Sequence, residues 1–368
     1  MSFKFFKQGS APDYVIILAT FLLVVFGLIM VASASSELAR KNFGDSYFYF
    51  KHQLTYGFSL GLIGFFLASK IYYKTYQKWA VFLFILSLVG LILIYTPLGV
   101  SAGGADRWIK LGPLVFQPAE IMKIAFLAYL AAWLSGREER RNSFFGGFIP
   151  FLIISGLVSA LLIFQPSTSS VAILMASALA VYFVSGARWS YIFGTVAIGI
   201  IALGIISYSS EYRWQRIMSY LNPETNVQGS AFHINQAQIA IGAGGLMGVG
   251  YGQSTTKILY LPEPIGDSIF AIIGEEFGFI GGLFTMLIFL TLVIRSFILS
   301  RKIGDKFGQL LLVGFGSLIG VQAFIHIGAI SGLLPLTGTP LPFISYGGTA
   351  LAVYMTISGI MVNISKHA

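Results

Sequence analysis

The chain has 368 residues, 56% of them hydrophobic and only 10% charged, with a mean hydropathy of +0.81. A water-soluble domain carries roughly 25% charged residues, so a surface this poor in charge needs lipid around it, and a large soluble domain is excluded. The net charge of +9 sits in short segments between apolar runs, the pattern of cytoplasmic loops and not of a nucleic-acid binder, and the absence of cysteine excludes disulfides and thiolate metal sites.

Apolar runs of about 18 residues or more mark spanning helices. The first covers residues 14–34. Lys4 and Lys7 precede it, and Ala32-Ser33-Ala34 looks like a cleavage site. The run exceeds the roughly 7–15 residues of a signal-peptide core, however, so it reads as an uncleaved first helix. Nine more runs follow, at about 54–71, 78–96, 119–135, 147–164, 168–185, 189–208, 267–294, 308–332 and 343–364. The eighth is long enough to tilt or to project from the membrane. The expectation is an all-α, polytopic membrane protein of about ten helices, one domain over residues 1–368. Its only sizeable non-spanning segment is a loop at about 209–266 between helices 7 and 8, too small and Gly-rich to hold a core of its own.

With the N-terminus inside, fourteen Lys and Arg fall in cytoplasmic segments and eight in outer ones, with Lys123 left within a helix. The bias puts both termini in the cytoplasm. Glu37, Asp45, Asp106, Glu211, Glu224, Glu263 and Asp267 then all lie outside.

Ionisable groups in or beside a spanning helix are costly and point to function by default. Four polar clusters stand out. Gly103-Gly104-Ala105-Asp106-Arg107-Trp108-Ile109-Lys110 precedes Gln117-Pro118-Ala119-Glu120-Ile121-Met122-Lys123. Pro118 suits a helix start, Glu120 lies in the first turn, and Lys123 reaches it at i+3. The plain alternative is interfacial anchoring by Trp108 and a structural Glu–Lys pair. Gln165-Pro166-Ser167-Thr168-Ser169-Ser170 is an outer turn whose hydroxyls can simply cap a helix.

The long loop carries Arg213, Arg216, a glycine-rich stretch from Ala240 to Gly252, then Lys257 and Tyr260-Leu261-Pro262-Glu263-Pro264-Ile265-Gly266-Asp267. These glycines form no dinucleotide fingerprint, because no strand precedes them and the spacing is wrong. They do permit close approach of backbone to a neighbour or ligand. Asp267 is either the N-cap of the eighth helix or a functional carboxylate. Glu275 and Glu276 lie two turns deeper. The last cluster, Leu333 to Thr349, holds three prolines, three glycines and Ser345, and reads as a fixed outer turn. Clusters one, three and four share the outer face, where convergent cations and one carboxylate suit a substrate with an anionic head and a lipid tail.

These motifs resemble the SEDS family of shape, elongation, division and sporulation proteins, the FtsW/RodA proteins. The resemblance covers nearly the whole chain. It rests on Met30-Val31-Ala32-Ser33-Ala34-Ser35, Arg107-Trp108-Ile109, Gln117-Pro118-Ala119-Glu120, the Ala240–Gly252 stretch, Tyr260-Leu261-Pro262-Glu263, Asp267, Gly274-Glu275-Glu276 and Pro342-Phe343-Ile344-Ser345-Tyr346-Gly347-Gly348. Tyr260-Leu261-Pro262-Glu263 and Tyr47 to Gln53 look more like the division member than the elongation member. Three departures exist. Gln165-Pro166-Ser167-Thr168-Ser169-Ser170 stands where the family usually has Gln/Glu-Pro-Asp-x-Gly-Thr. Gly266-Asp267-Ser268 stands for Thr-Asp-Phe, and His326-Ile327-Gly328 for Asn-Ile-Gly.

The resemblance implies a peptidoglycan glycosyltransferase in the bacterial cytoplasmic membrane. It would polymerise lipid II beside a class B penicillin-binding transpeptidase and other divisome or elongasome membrane proteins. Asp267 matches the family's essential Asp and is the candidate base. Arg107, Lys110, Lys123, Arg213, Arg216 and Lys257 are candidate partners of the pyrophosphate, with Trp108, Glu120, Glu263 and Ser345 as further substrate contacts. A divalent cation, Mg2+ or Mn2+, can share the charge, although oxygen ligands alone do not identify one. The rival readings are a lipid II flippase and a scaffold that recruits the transpeptidase without chemistry.

Overall fold

Long apolar helices dominate the chain because their backbone groups must pair internally wherever lipid replaces water. The computed structural model describes residues 10–102, 105–112, 114–136, 141–165, 167–222, 230–259 and 261–368. Lys4, Lys7, Gly103, Gly104, Pro166, Glu224 and Tyr260, singled out in the sequence, lie outside the described residues.

Helix α1 spans Tyr14–Phe43. Helices α2 (Phe48–His52) and α3 (Ser59–Lys70) are joined by a π-helical turn, Gln53–Phe58. Helix α4 is Lys74–Leu93. Strands β1 (Gly99–Ala102), β2 (Ala105–Leu111) and β3 (Leu114–Phe116) form a small antiparallel sheet in the order β1-β2-β3. The all-α reading gave no hint of it: a three-stranded sheet this short leaves no hydropathy signal. Then come α5 (Pro118–Leu134), α6 (Ile149–Phe164), α7 (Thr168–Ser185) and α8 (Trp189–Tyr208). The long loop holds α9 (Glu211–Leu221), α10 (Ser230–Gly244) and the single turn α11 (Thr256–Leu259). Helices α12 (Ile269–Lys302), α13 (Lys306–Ile330) and α14 (Gly348–Ser365) complete the chain.

Among the described residues eight helices are long and apolar enough to cross a membrane. The two remaining predicted runs correspond to the rod formed by α2, the π-turn and α3, and to α5, which has 17 residues. Helices α13 and α14 form the centre, with Leu310, Leu311, Phe315, Ile319, Ile357, Ile360 and Met361 fully buried. Helix α8 is exposed along almost its whole length. Phe193, Ile200, Ile201 and Ile205 stand on its surface, apolar area that lipid and not water accommodates.

The loops gather at two ends. At one end the terminal segments meet, with Ser10 N donating to Lys366 O at 2.8 Å. Asp13 caps α1 and pairs with Arg295 at 2.6 Å, and Lys74 pairs with Asp305 at 3.0 Å. The other end carries the sheet, α9 and the loops that precede α12 and α14.

Helix α12 is broken, not merely long. Gly278 has φ 64° and ψ −162°, outside any helix. The glycine-rich segment after α10 fills the break: Val249 N donates to Glu275 O (2.9 Å), Gly250 N to Glu276 O (3.1 Å), Phe279 N to Gly245 O (2.8 Å) and Ile280 N to Leu246 O (3.2 Å). A Cβ on Gly248 or Gly278 would overlap the facing backbone, and both have positive φ. Only glycine satisfies both conditions.

Candidate active site

Asp267 lies in the turn between α11 and α12. Gly266 N and Ser268 N both donate to Glu263 O, at 3.1 and 3.2 Å. Glu263 itself is held at φ 45°, a left-handed conformation that costs a non-glycine residue about 1–2 kcal/mol. Such strain persists only where the surroundings impose it, and it concentrates at functional sites.

The surroundings here are the loop from 331 to 347. Its prolines, Pro335, Pro340 and Pro342, donate nothing, so ladder pairing is closed to it and its carbonyls are met by side chains from elsewhere. Ser169 Oγ donates to Thr337 O (2.6 Å), Gln322 Nε2 to Pro340 O (2.8 Å), and His326 Nδ1 bonds Thr339 O (2.6 Å). Tyr346 N donates to Ile265 O (2.8 Å) and Ser345 Oγ to Gly266 O (2.7 Å), which fastens this loop to the Asp267 turn. Phe343, at φ 64°, is a second strained residue in the same place.

The product of this tying is a small polar recess. A Cβ on Gly338 would sit 3.3 Å from Asp267 Oδ2 and 3.8 and 3.9 Å from the two terminal nitrogens of Arg216. Arg216 comes from α9, and its Nη1 donates to Leu336 O at 3.5 Å. Arg107 comes from β2, with Nε donating to Gln165 O at 3.0 Å. Burial, followed by the charge of Glu263, pushes the Asp267 carboxyl up from 3.8 to about 6, while Arg216 and Arg107 pull it down. At neutral pH it is therefore ionised and a stronger base than an ordinary aspartate. A basic carboxylate can accept a proton while the guanidinium groups near it hold a phosphate.

A scan of family models matches residues 13–368 to the cell cycle protein family of FtsW, RodA and SpoVE. The chain belongs to the FtsW/RodA/SpoVE family. It is 38% identical over 362 residues to stage V sporulation protein E of Bacillus subtilis, spanning 98% of this chain and 99% of that one. It is 36% identical over 362 residues to a probable peptidoglycan glycosyltransferase FtsW of Geobacter, with 98% of each chain covered. Among solved structures it resembles a chain of a peptidoglycan synthase complex, with a TM-score of 0.81 at 25% identity over 96% of this chain and 98% of that one. The rod shape determining protein RodA of Thermus thermophilus matches at a TM-score of 0.71 and 25% identity, over 97% of each chain. This FtsW/RodA/SpoVE chain is thus a multi-pass membrane protein of the SEDS type.

The structure brings together Asp267, Glu263, Arg216 and Arg107 from the residues expected in the sequence, and sets the others apart. The N-cap of α12 is Ser268 and not Asp267, so the capping alternative for Asp267 does not apply. Arg213 donates to Ile206 O (3.4 Å) and Ile163 O (3.3 Å), neutralising carbonyls at the ends of α8 and α6. Trp108 and the exposed Lys110 alternate with Arg107 along β2 and take the opposite face. Ser345 is buried, with its hydroxyl donating to Gly266 O and accepting from Leu341 N at 2.8 Å.

Lys257 is buried far more deeply than a substrate ligand at a surface would be. It pairs with Glu276 at 2.7 Å and donates to Ser33 Oγ (2.9 Å) and Gly252 O (3.0 Å). Its neighbour Glu275 accepts from Ser254 Oγ (2.5 Å), from Thr255 N (3.0 Å) and from the Thr256 hydroxyl. Lys123 is likewise enclosed, bonding Glu120 (2.7 Å), Gln322 (3.0 Å) and the Tyr354 hydroxyl (3.4 Å). That network reaches the active-site loop through the bond from Gln322 to Pro340 and through the ring contact of Tyr354 with Phe343, 5.5 Å between centroids. Gln322 and Tyr354 went unnoticed in the sequence because single polar residues on apolar helices have no pattern to betray them, and His233 and Ser254 because they lie among other polar residues of the long loop.

Proposed function

We propose that this FtsW/RodA/SpoVE protein is a peptidoglycan glycosyltransferase that polymerises lipid II at the outer face of the bacterial cytoplasmic membrane, with both termini in the cytoplasm. The observation that carries the reading is the Asp267 carboxylate, raised to about 6 beside Arg216 and Arg107. The positive-inside bias supports the orientation. The names borne by the FtsW relatives support the activity, and the match to a chain of a peptidoglycan synthase complex supports a penicillin-binding transpeptidase as partner.

In this mechanism the 4-hydroxyl of the acceptor GlcNAc attacks C1 of the lipid-linked MurNAc. Asp267 takes the hydroxyl proton as the new C–O bond forms. The bond from C1 to the pyrophosphate breaks on the opposite side, configuration inverts, and polyprenyl pyrophosphate leaves. General-base assistance is worth about 10²–10⁴-fold. Arg216 and Arg107 neutralise the charge that grows on the leaving pyrophosphate. Among the described residues no three His, Asp or Glu side chains converge to hold a metal ion. Glu263 and Asp267 are the carboxylates that would hold a Mg2+ or Mn2+ here, and the ion would help neutralise the pyrophosphate charge.

The test is glycan-chain formation from purified lipid II by the protein with its transpeptidase, with penicillin silencing crosslinking. The wild-type complex forms chains, and Asp267→Asn forms them at least about 100-fold more slowly. A flippase or a scaffold forms none in either case.

A further inference from the structure

Ser268, one of the residues that set this chain apart from the expected motif, adjoins Asp267, and a residue on a facing helix explains it. Serine at the N-cap of a helix normally turns its hydroxyl back to accept from the first free amides. Ser268 occupies that position on α12 and makes no such bond. Its side chain is fully buried and points away from the helix, donating to Pro262 O at 2.6 Å. Its oxygen also lies 2.5 Å from His233 Nε2, on α10.

The proton count fixes the direction of this chain of bonds. A carbonyl only accepts, so the Ser268 proton is spent on Pro262. The second bond must then be donated by His233 Nε2–H. Burial, with Arg216 close by, pushes the His233 imidazole down to about 4, so the ring is neutral and carries its proton on Nε2. The relay runs from α10 through Ser268 to Pro262 and so clamps both ends of the turn, residues 262–268, that presents Asp267. A side chain without a hydroxyl at this position could pack but could not make this connection.

We propose that His233 is a positioning residue for Asp267, its Nε2–H holding through the Ser268 hydroxyl the turn that aims the carboxylate. The proposal rests on Asp267 being the base. The base must meet the acceptor hydroxyl at hydrogen-bond distance, and a misplacement of about 1 Å costs on the order of 100-fold in rate.

The experiment measures kcat and KM for lipid II polymerisation by the purified complex carrying Ser268→Ala, His233→Leu, His233→Gln or Asp267→Asn. Ser268→Ala and His233→Leu are expected to lower kcat by about 10- to 100-fold while KM stays within about threefold, because lipid II binding does not use the relay. His233→Gln places an amide N–H near the former Nε2 and is expected to restore kcat to within about threefold. The double variant Ser268→Ala/His233→Leu is expected to be no slower than the slower single one, since both changes remove the same relay. Wild-type kcat in Ser268→Ala overturns the proposal, and so does equal loss in His233→Gln and His233→Leu. Should His233→Leu fail to accumulate, Ser268→Ala, which removes one oxygen, decides. Full activity of Asp267→Asn defeats the base assignment itself, whereas an inactive Asp267→Asn beside a normal Ser268→Ala defeats only the role of His233.

Discussion

Lys257 offers the sharpest separation between holding the fold and holding the substrate. Its ammonium makes three bonds, to Glu276 Oε1, Ser33 Oγ and Gly252 O, at 2.7–3.0 Å, and its side chain is 3% exposed. Glu276 is fully buried, and its second oxygen has no partner among the described residues. Lys257→Met therefore strands a carboxylate and one carbonyl in the interior. Breaking a buried pair by removing one partner costs about 3–5 kcal/mol. Removing both charges, as in Lys257→Met/Glu276→Gln, leaves the Ser33 hydroxyl bonded to the amide oxygen and costs about 1 kcal/mol or less. The two variants and the double can be compared by thermal unfolding in detergent or bicelles, with polymerisation measured at a permissive temperature. Each single change should destabilise strongly, and the double should recover most of the stability and the activity with it. A Lys257→Met protein as stable as wild type would refute the latch. A stable double variant without activity would instead return Lys257 to the substrate.

Asp267→Asn should stabilise the protein even as it silences it. A carboxyl held at about 6 instead of 3.8 costs the ionised folded state about 3 kcal/mol at most, and water at this half-buried site reduces that to about 1–2 kcal/mol. The gain should be full above pH 6 and vanish below about pH 4, where the wild-type carboxyl is protonated in both folded and unfolded chains; unfolding across that pH range checks it. Lys123→Met should destabilise by about 3–5 kcal/mol, because Glu120 is left alone in its buried network, and unfolding in bicelles reads this directly. Reporters fused after Asn222 should score outside and those after Asn142 cytoplasmic; the reverse at either site would overturn the orientation.

The helices were legible because their signal is additive: a run of eighteen apolar residues outweighs any local exception. The break at Gly278 was not, since one glycine barely alters hydropathy and its meaning depends on Gly244 to Gly250 arriving from a distant segment. The Asp267 turn, Arg216 and Arg107 could be picked out because charge is rare in this chain, so each carboxylate or guanidinium near an apolar run carries weight. The same rarity singled out Lys257 and Arg213, which the structure engages with Glu276 and with the carbonyls of Ile206 and Ile163. A lysine beside the active-site motif and one buried under it look alike in sequence, and only packing shows that Lys257 spends its charge on Glu276. Ser268 and His233 illustrate the remaining gap: both are ordinary residues whose significance lies in a single shared bond.

The central claim is that the ionised Asp267 carboxylate takes the acceptor proton. The pH dependence of kcat/KM for lipid II polymerisation reports the free enzyme's base most directly. The account predicts an acidic limb with a midpoint near pH 6 in the wild-type complex, falling about tenfold per pH unit below it. Glu263→Gln should move the limb to lower pH and Arg216→Gln to higher pH, because Glu263 raises Asp267 and Arg216 lowers it. Residual turnover by Asp267→Asn should lack the limb. A limb at the same pH in Asp267→Asn, or one that ignores both Glu263→Gln and Arg216→Gln, would contradict it.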